Sequence, residues 1–220
     1  LYTIASESLN NVRGPLRVGC LDTLAPMLTP ELVFGFGRAF PGVRITLVEG
    51  NHEQLLKQLR SADIDIALTY DLVPANDIAF TSLAQLPPYV MVGEHHPLAT
   101  QSAVTIEDLV AMPMVLLDMP WSREYFLGLF SEAGVAPNVV MRSSNMEVVR
   151  AMVANGVGFG IANVRPKAHF SQDGKRLIRV RLAGVNKPMQ LGYATVANTQ
   201  HSMVVNAFAE RCRMFISDQY

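Results

Sequence analysis

The order of apolar runs along this chain predicts an α/β protein built as two lobes on mainly parallel sheets. Three observations carry that reading. Short apolar strands alternate with amphipathic helical stretches from end to end. Two successive runs of strand–helix units occupy residues 15–92 and 93–189, and a late strand and helix follow them. A terminal helix needs a sheet to pack on, so the simplest path returns residues 190–220 to the first lobe. Two lobes joined by two crossing segments make a cleft, and ligands of such sheets bind beyond the carboxyl ends of the strands.

The elements follow in order. Leu16–Cys20 reads as a buried strand; Asp22 and Thr23 are helix N-cap types, and Leu24, Leu28, Leu32 and Phe36 recur on one helical face. Residues 44–49 form a second strand, Asn51 caps a helix over 52–60, and Ile64–Tyr70 is a third strand. These make two successive βαβ crossovers. Strands over 78–86 and 89–93 are separated by Pro87-Pro88, which breaks regular structure. Thr105 and Asp108 have capping-box spacing for a short helix. Met114–Leu117 reads as a strand, Ser122–Ala133 as a helix ended by Gly134, and Asn138–Ser143 as a strand. Ser144 caps a helix over 145–155 that ends at Gly156. Strands over 158–162, 177–182 and 190–197 and a helix over 201–216 close the chain.

Composition excludes several function classes. At 220 residues, 50% hydrophobic and 17% charged, the chain is a globular protein with room for one large or two small domains. A formal net charge of −1 leaves no basic surplus for gripping a polyanion, so this segment does not itself bind nucleic acid. No apolar run approaches the ~20 residues needed to span a membrane, and the first residues lack a secretory pattern. Cys20 and Cys212 form no CxxC or Cys/His cluster. Both read as buried thiols, which fits a cytoplasmic location, and no metal site or cofactor is expected.

Catalytic motifs are missing too. The glycine run at Gly156, Gly158 and Gly160 ends a helix and enters a strand, the reverse of a dinucleotide fingerprint, so it reads as a helix C-cap with close backbone packing. No G-x-S-x-G elbow and no H-E-x-x-H motif occurs. His52, His95 and His96 read as solvated loop histidines. The stretch LDMPWSREYF is more informative: Trp121, the only tryptophan, follows Pro120 at a strand-to-helix junction, with Ser122 as a cap and Arg123 in the first turn. An aromatic there stacks on a ligand whose anion Ser122 and unpaired N–H groups receive, or else packs the lobes together. At Thr23, likewise, the alternatives are a ligand contact and a plain helix cap.

Read together, the segments GPLRVGCLDTLAP, LTPELVFGFGRAFPGVRITLVEGNHEQLLKQLRSADIDIAL, HHPLA and NMEVVRAMVANGVGFGIA resemble the effector-binding domain of LysR-type transcriptional regulators. The resemblance covers nearly the whole chain. It implies a two-lobed periplasmic-binding-protein type II fold, with residues 1–14 as the end of a linker helix, 15–92 plus 190–220 as the first lobe and 93–189 as the second. It also implies that Asp22, Thr23, Asn51 and Tyr70 in the first lobe, and Pro120, Trp121, Ser122 and Ser144 in the second, contact an effector in one cleft. Tyr70 stands where many members carry an arginine, which removes a ready carboxylate partner. Asn163 stands where many have proline and adds a polar contact. The cysteine pair of the family's peroxide sensors lies in the second lobe, whereas Cys20 and Cys212 fall in the first, so no thiol switch is indicated.

The expected function is therefore a non-enzymatic sensor of a small carboxylate or polar aromatic effector. Its regulatory domains pair as homodimers and assemble into tetramers, and it reaches DNA only through an N-terminal domain outside this chain. The alternative is a transporter's solute-binding protein of the same fold. A lyase on a related fold lacks an acid–base pair that can be named.

Overall fold

The computed structural model describes residues 12–71, 75–184 and 187–217. The expected linker-helix end falls almost wholly outside them. The chain divides into two compact units, residues 1–85 with 190–220 and residues 86–189. Residues 86–92, expected in the first lobe, belong to the second unit, because their strand pairs with strands of that unit.

The first unit is a five-stranded sheet in the order β2-β1-β3-β11-β4, formed by β1 (Gly14–Leu21), β2 (Val43–Gly50), β3 (Ile66–Tyr70), β4 (Ile78–Leu86) and β11 (Met189–Val196). β1 runs parallel to both β2 and β3, whereas β11 is antiparallel to β3. Leu16, Val18 and Cys20 alternate along β1 and are fully buried. A further layer of fully buried side chains comes from α1 (Ala25–Ala39), through Leu28, Leu32 and Phe36, and from α6 (Met203–Ser217), through Phe208 and Cys212. Phe36 meets Phe208 edge-on at 5.2 Å between ring centroids. On the other face α2 (His52–Arg60) lies so close that a Cβ on Gly19 would come within 2.9 Å of Leu55.

The second unit has two sheets. One takes the order β6-β10-β5-β9, from β6 (Ala103–Val104), β10 (Leu177–Leu182), β5 (Tyr89–Gly93) and β9 (Gly160–Ala162). β5 is antiparallel to both neighbours, so the expectation of mainly parallel sheets does not hold here. The other pairs β7 (Pro113–Leu117) with β8 (Asn138–Ser143) in parallel. Hydrogen bonds between Pro113, Val115 and Phe159 join β7 to the approach of β9, at 2.8 and 2.9 Å. That contact needs Gly158, whose Cβ would lie 2.1 Å from the Pro113 carbonyl oxygen. The glycine run is thus close backbone packing, and Gly156, at φ 84°, closes its helix with the paired C-terminal hydrogen bonds of a Schellman motif. The helices are α3 (Ile106–Leu109), α4 (Ser122–Glu132) and α5 (Met146–Ala154), and a 3-10 turn spans Pro97–Thr100.

Caps decide where these helices begin, and three expectations need correcting. Thr105 forms the expected capping box with Asp108, and Asn51 caps its helix as expected, there too through a capping box, with Gln54. Thr23 does not cap α1: the N-cap is Leu24, without a side-chain hydrogen bond, because the chain turns through Asp22–Leu24 first. Ser122 lies inside α4, whose N-cap is Trp121. Ser144 yields to Asn145, whose side chain accepts from the Glu147 N–H at 2.8 Å. His52 is not a solvated loop residue either. Only 5% exposed, it places Nδ1 2.8 Å from Thr69 Oγ1 on β3, and Nε2 has no partner among the described residues. His95 is exposed, while half-buried His96 caps the 3-10 turn by accepting from the Leu98 N–H.

Three measurements check this account. Asn51→Ala should lower unfolding free energy by about 1 kcal/mol in urea, whereas Thr23→Ala, which removes no cap, should stay within about 0.5 kcal/mol. Gly158→Ala should cost about 2 kcal/mol or more, since backbone must move to admit the methyl group. Burial lowers the His52 pKa below the ordinary 6.5, with Asp71 opposing weakly. The unfolded chain therefore binds that proton first, so stability is complete above pH 6.5 and declines as pH falls toward the folded-state pKa. His52→Gln should flatten that part of a pH–stability curve.

Candidate functional site

In the first unit the candidate positions share one sheet edge. Leu21 pairs with Gly50 and Cys20 with Leu68, so Asp22–Thr23, Asn51 and Tyr70 stand at the carboxyl ends of three adjacent parallel strands. The Asp22 N–H donates to the Gly50 carbonyl at 3.2 Å, holding the first turn against the end of β2. Asn51 spends its side chain on α2, accepting from Gln54 N–H at 3.0 Å, while its own N–H donates to Gln54 Oε1 at 2.9 Å. Tyr70 is buried beside a cavity of about 250 Å3 lined also by His52, Thr69, Asp71, Asn76 and Phe80. Burial and the neighbouring Glu49 charge raise the Asp22 pKa, so this edge disfavours further negative charge near that carboxyl group.

The second unit repeats the arrangement. Leu117 pairs with Ser143, and the Asp118 N–H donates to the Ser143 carbonyl at 2.8 Å, which puts Pro120–Ser122 and Ser144 at neighbouring strand ends. Trp121 is 41% exposed and sits at φ 69°, a left-handed conformation unusual for a bulky residue. Its carbonyl accepts from the Tyr125 N–H at 3.0 Å, beginning α4. Arg123 is not a free cation: its guanidinium reaches Asp118 at 2.8 Å and Glu124 at 2.6 Å, and Arg142 approaches the other Asp118 oxygen at 3.6 Å. Ser144 is exposed.

Asn163 follows β9 and is 4% exposed. Its Nδ2 donates to the Leu86 carbonyl at 2.8 Å and to the Tyr125 hydroxyl oxygen at 3.0 Å. Tyr125, Asp118, Arg142 and Thr69 escaped the sequence reading. Their roles come from partners distant in sequence; only the phenol of Tyr125 on a helix otherwise patterned for burial offered a signal.

Cys20 and Cys212 are both buried and free, and burial raises both thiol pKa values, that of Cys212 to about 12. Among the described residues no group of three or more His, Cys, Asp or Glu is placed to hold a metal ion. Nor, among them, is any helix long and apolar enough to cross a membrane.

Comparison with known proteins identifies the family. A family model described as the LysR substrate binding domain matches residues 10–216. The crystal structure of HinK, a LysR family transcriptional regulator from Pseudomonas aeruginosa, superposes with a TM-score of 0.90 at 33% identity, covering 99% of this chain and 76% of that one. The effector-binding domain of QuiR in complex with shikimate shares the fold, of the periplasmic-binding-protein type II class, at 18% identity and a TM-score of 0.82, over 94% of this chain and 99% of that one. An HTH-type transcriptional regulator of Bacillus subtilis, YybE, is 27% identical over 165 residues, 73% of this chain. The chain spans 56% of YybE's length, little more than half. This chain belongs to the LysR family of transcriptional regulators, as the match of its LysR substrate binding domain over residues 10–216 requires.

Proposed function

We propose that this chain is the effector-sensing domain of a LysR-type transcriptional regulator, and that its effector is a small carboxylate or polar aromatic molecule. The observation that carries this reading is a contrast among helix starts. α2, α3 and α5 have side-chain caps, whereas α1 and α4, which follow Thr23 and Pro120–Trp121, have none. At α1 Pro26 has no N–H and the Met27 N–H donates to the Leu24 carbonyl, and at α4 the Arg123 N–H donates to the Met119 carbonyl while the Glu124 carboxylate takes the Trp121 and Glu124 N–H groups, so these starts offer an anion their positive dipole ends and the N–H groups of Ala25 and Ser122. Thr23 and Ser122 add hydroxyl groups, Trp121 adds an exposed aromatic face, and Asp22, Asn51, Tyr70, Pro120, Ser144 and Asn163 complete the proposed set of contacts and supports. QuiR's shikimate supports the ligand class, being itself a hydroxylated carboxylate.

The regulatory consequence follows from linkage. An effector shifts a conformational equilibrium only by its differential affinity for the two states, so binding at these strand ends favours one state of the regulator. The wider proposal is a cytoplasmic, non-enzymatic protein whose regulatory domains pair as dimers within a tetramer, with DNA contacted by a separate N-terminal domain. No observation favours the solute-binding-protein alternative, and membership of a regulator family weighs against it.

Isothermal titration against a panel of small carboxylates and polar aromatics tests the assignment. At least one compound should bind, with Thr23→Ala and Trp121→Ala each weakening it about tenfold, or roughly 1.4 kcal/mol. Absence of any binder, or unchanged affinity in both variants, would refute the proposed contacts.

A further inference from the structure

We propose that Tyr125 and Asn163 are positioning residues that couple the Trp121–Ser122 end of α4 to both segments through which the chain passes between its two units. The proposal rests on Trp121 and Ser122 being effector contacts, and it names how that contact is relayed. The chain enters the second unit at Leu86 and leaves it at Met189. Asn163 Nδ2 donates to the Leu86 carbonyl at 2.8 Å on the entering segment and to Tyr125 Oη at 3.0 Å. Tyr125 Oη donates in turn to the Lys187 carbonyl at 2.8 Å on the departing one. Lys187 also pairs with Glu132, the last residue of α4.

The donor directions in this relay are unambiguous. The two carbonyl oxygens can only accept, so Asn163 must present its NH2 group to Leu86, and the Tyr125 proton must point to Lys187. Burial raises the Tyr125 pKa to about 12, so the hydroxyl stays a donor at physiological pH. Both anchoring carbonyls belong to residues that precede proline, in Leu86-Pro87-Pro88 and Lys187-Pro188. Proline fixes its own φ and holds the preceding residue extended, so each segment is stiff where the relay grips it. At the other end the Tyr125 N–H holds the carbonyl of Trp121, whose φ of 69° is strained for a large side chain. Displacement of Trp121 by a ligand is thereby passed along one helical turn to the phenol, and from the phenol to both crossings. Asn163 Oδ1, buried and without a partner among the described residues, leaves an acceptor available to a second arrangement of the relay.

The test requires no effector, so its failure is separable from failure of the effector reading. Trp121→Gly relieves the strained φ and serves as the perturbation; amide hydrogen exchange by mass spectrometry is the readout. In the otherwise unaltered chain, Trp121→Gly should change exchange by about threefold or more in peptides covering both 83–89 and 187–191. In a Tyr125→Phe background it should change neither. In an Asn163→Ala background the effect should persist at 187–191 and vanish at 83–89, a split that generalised loosening of the unit would not produce. Asn163→Ala also keeps the proposal testable if Tyr125→Phe fails to fold. An effect of Trp121→Gly confined to residues 118–126, or one of equal size with and without the Tyr125 hydroxyl, would overturn the proposal.

Discussion

Parallel hydrogen-bonded pairing of β1 with its neighbours is the constraint on which the rest of the first unit depends. Strands joined by crossover helices must end on the same sheet edge. The register Leu21 to Gly50 and Cys20 to Leu68 brings three such ends level. Residues distant in sequence, Thr23, Asn51 and Tyr70, therefore gather at one edge. β7 and β8 impose the same geometry on the second unit, where Leu117 opposite Ser143 aligns Trp121 with Ser144. Glycine lets β7 also take the approach of β9, since only a residue without Cβ admits the Pro113 carbonyl beside Gly158.

The electrostatic character of the two edges differs. Burial, and after it the Glu49 charge, raises the Asp22 pKa, and Tyr70 brings no positive charge. Around Asp118 two arginines converge, although one of them is shared with Glu124. These pairs are half exposed, so their contribution to stability is small and their value lies in orienting the loop that precedes α4.

Capping separates helices that end in their own side chains from helices left open. Asn51, Thr105 and Asn145 satisfy backbone N–H groups locally, and each has the residue type expected for that task. Thr23 and Ser122 have the same residue types and do not cap, because Asp22–Leu24 turns before α1 starts and Trp121 adopts a positive φ before α4. Sequence type names an N-cap candidate; the backbone path decides whether its oxygen meets an N–H.

How much was legible in the sequence follows from range. Local signals set the strand–helix alternation, the buried stripe of Leu24, Leu28, Leu32 and Phe36, the capping boxes and the glycine stop at Gly156, since propensity and periodicity act within a few residues. Tertiary structure alone decided the antiparallel pairing of β5, the burial of His52 against Thr69, the clustering of Arg123 and Arg142 on Asp118, and the Asn163–Tyr125 relay. Each depends on a partner more than four residues away, and no periodicity records a contact whose two halves meet only after the chain has folded back.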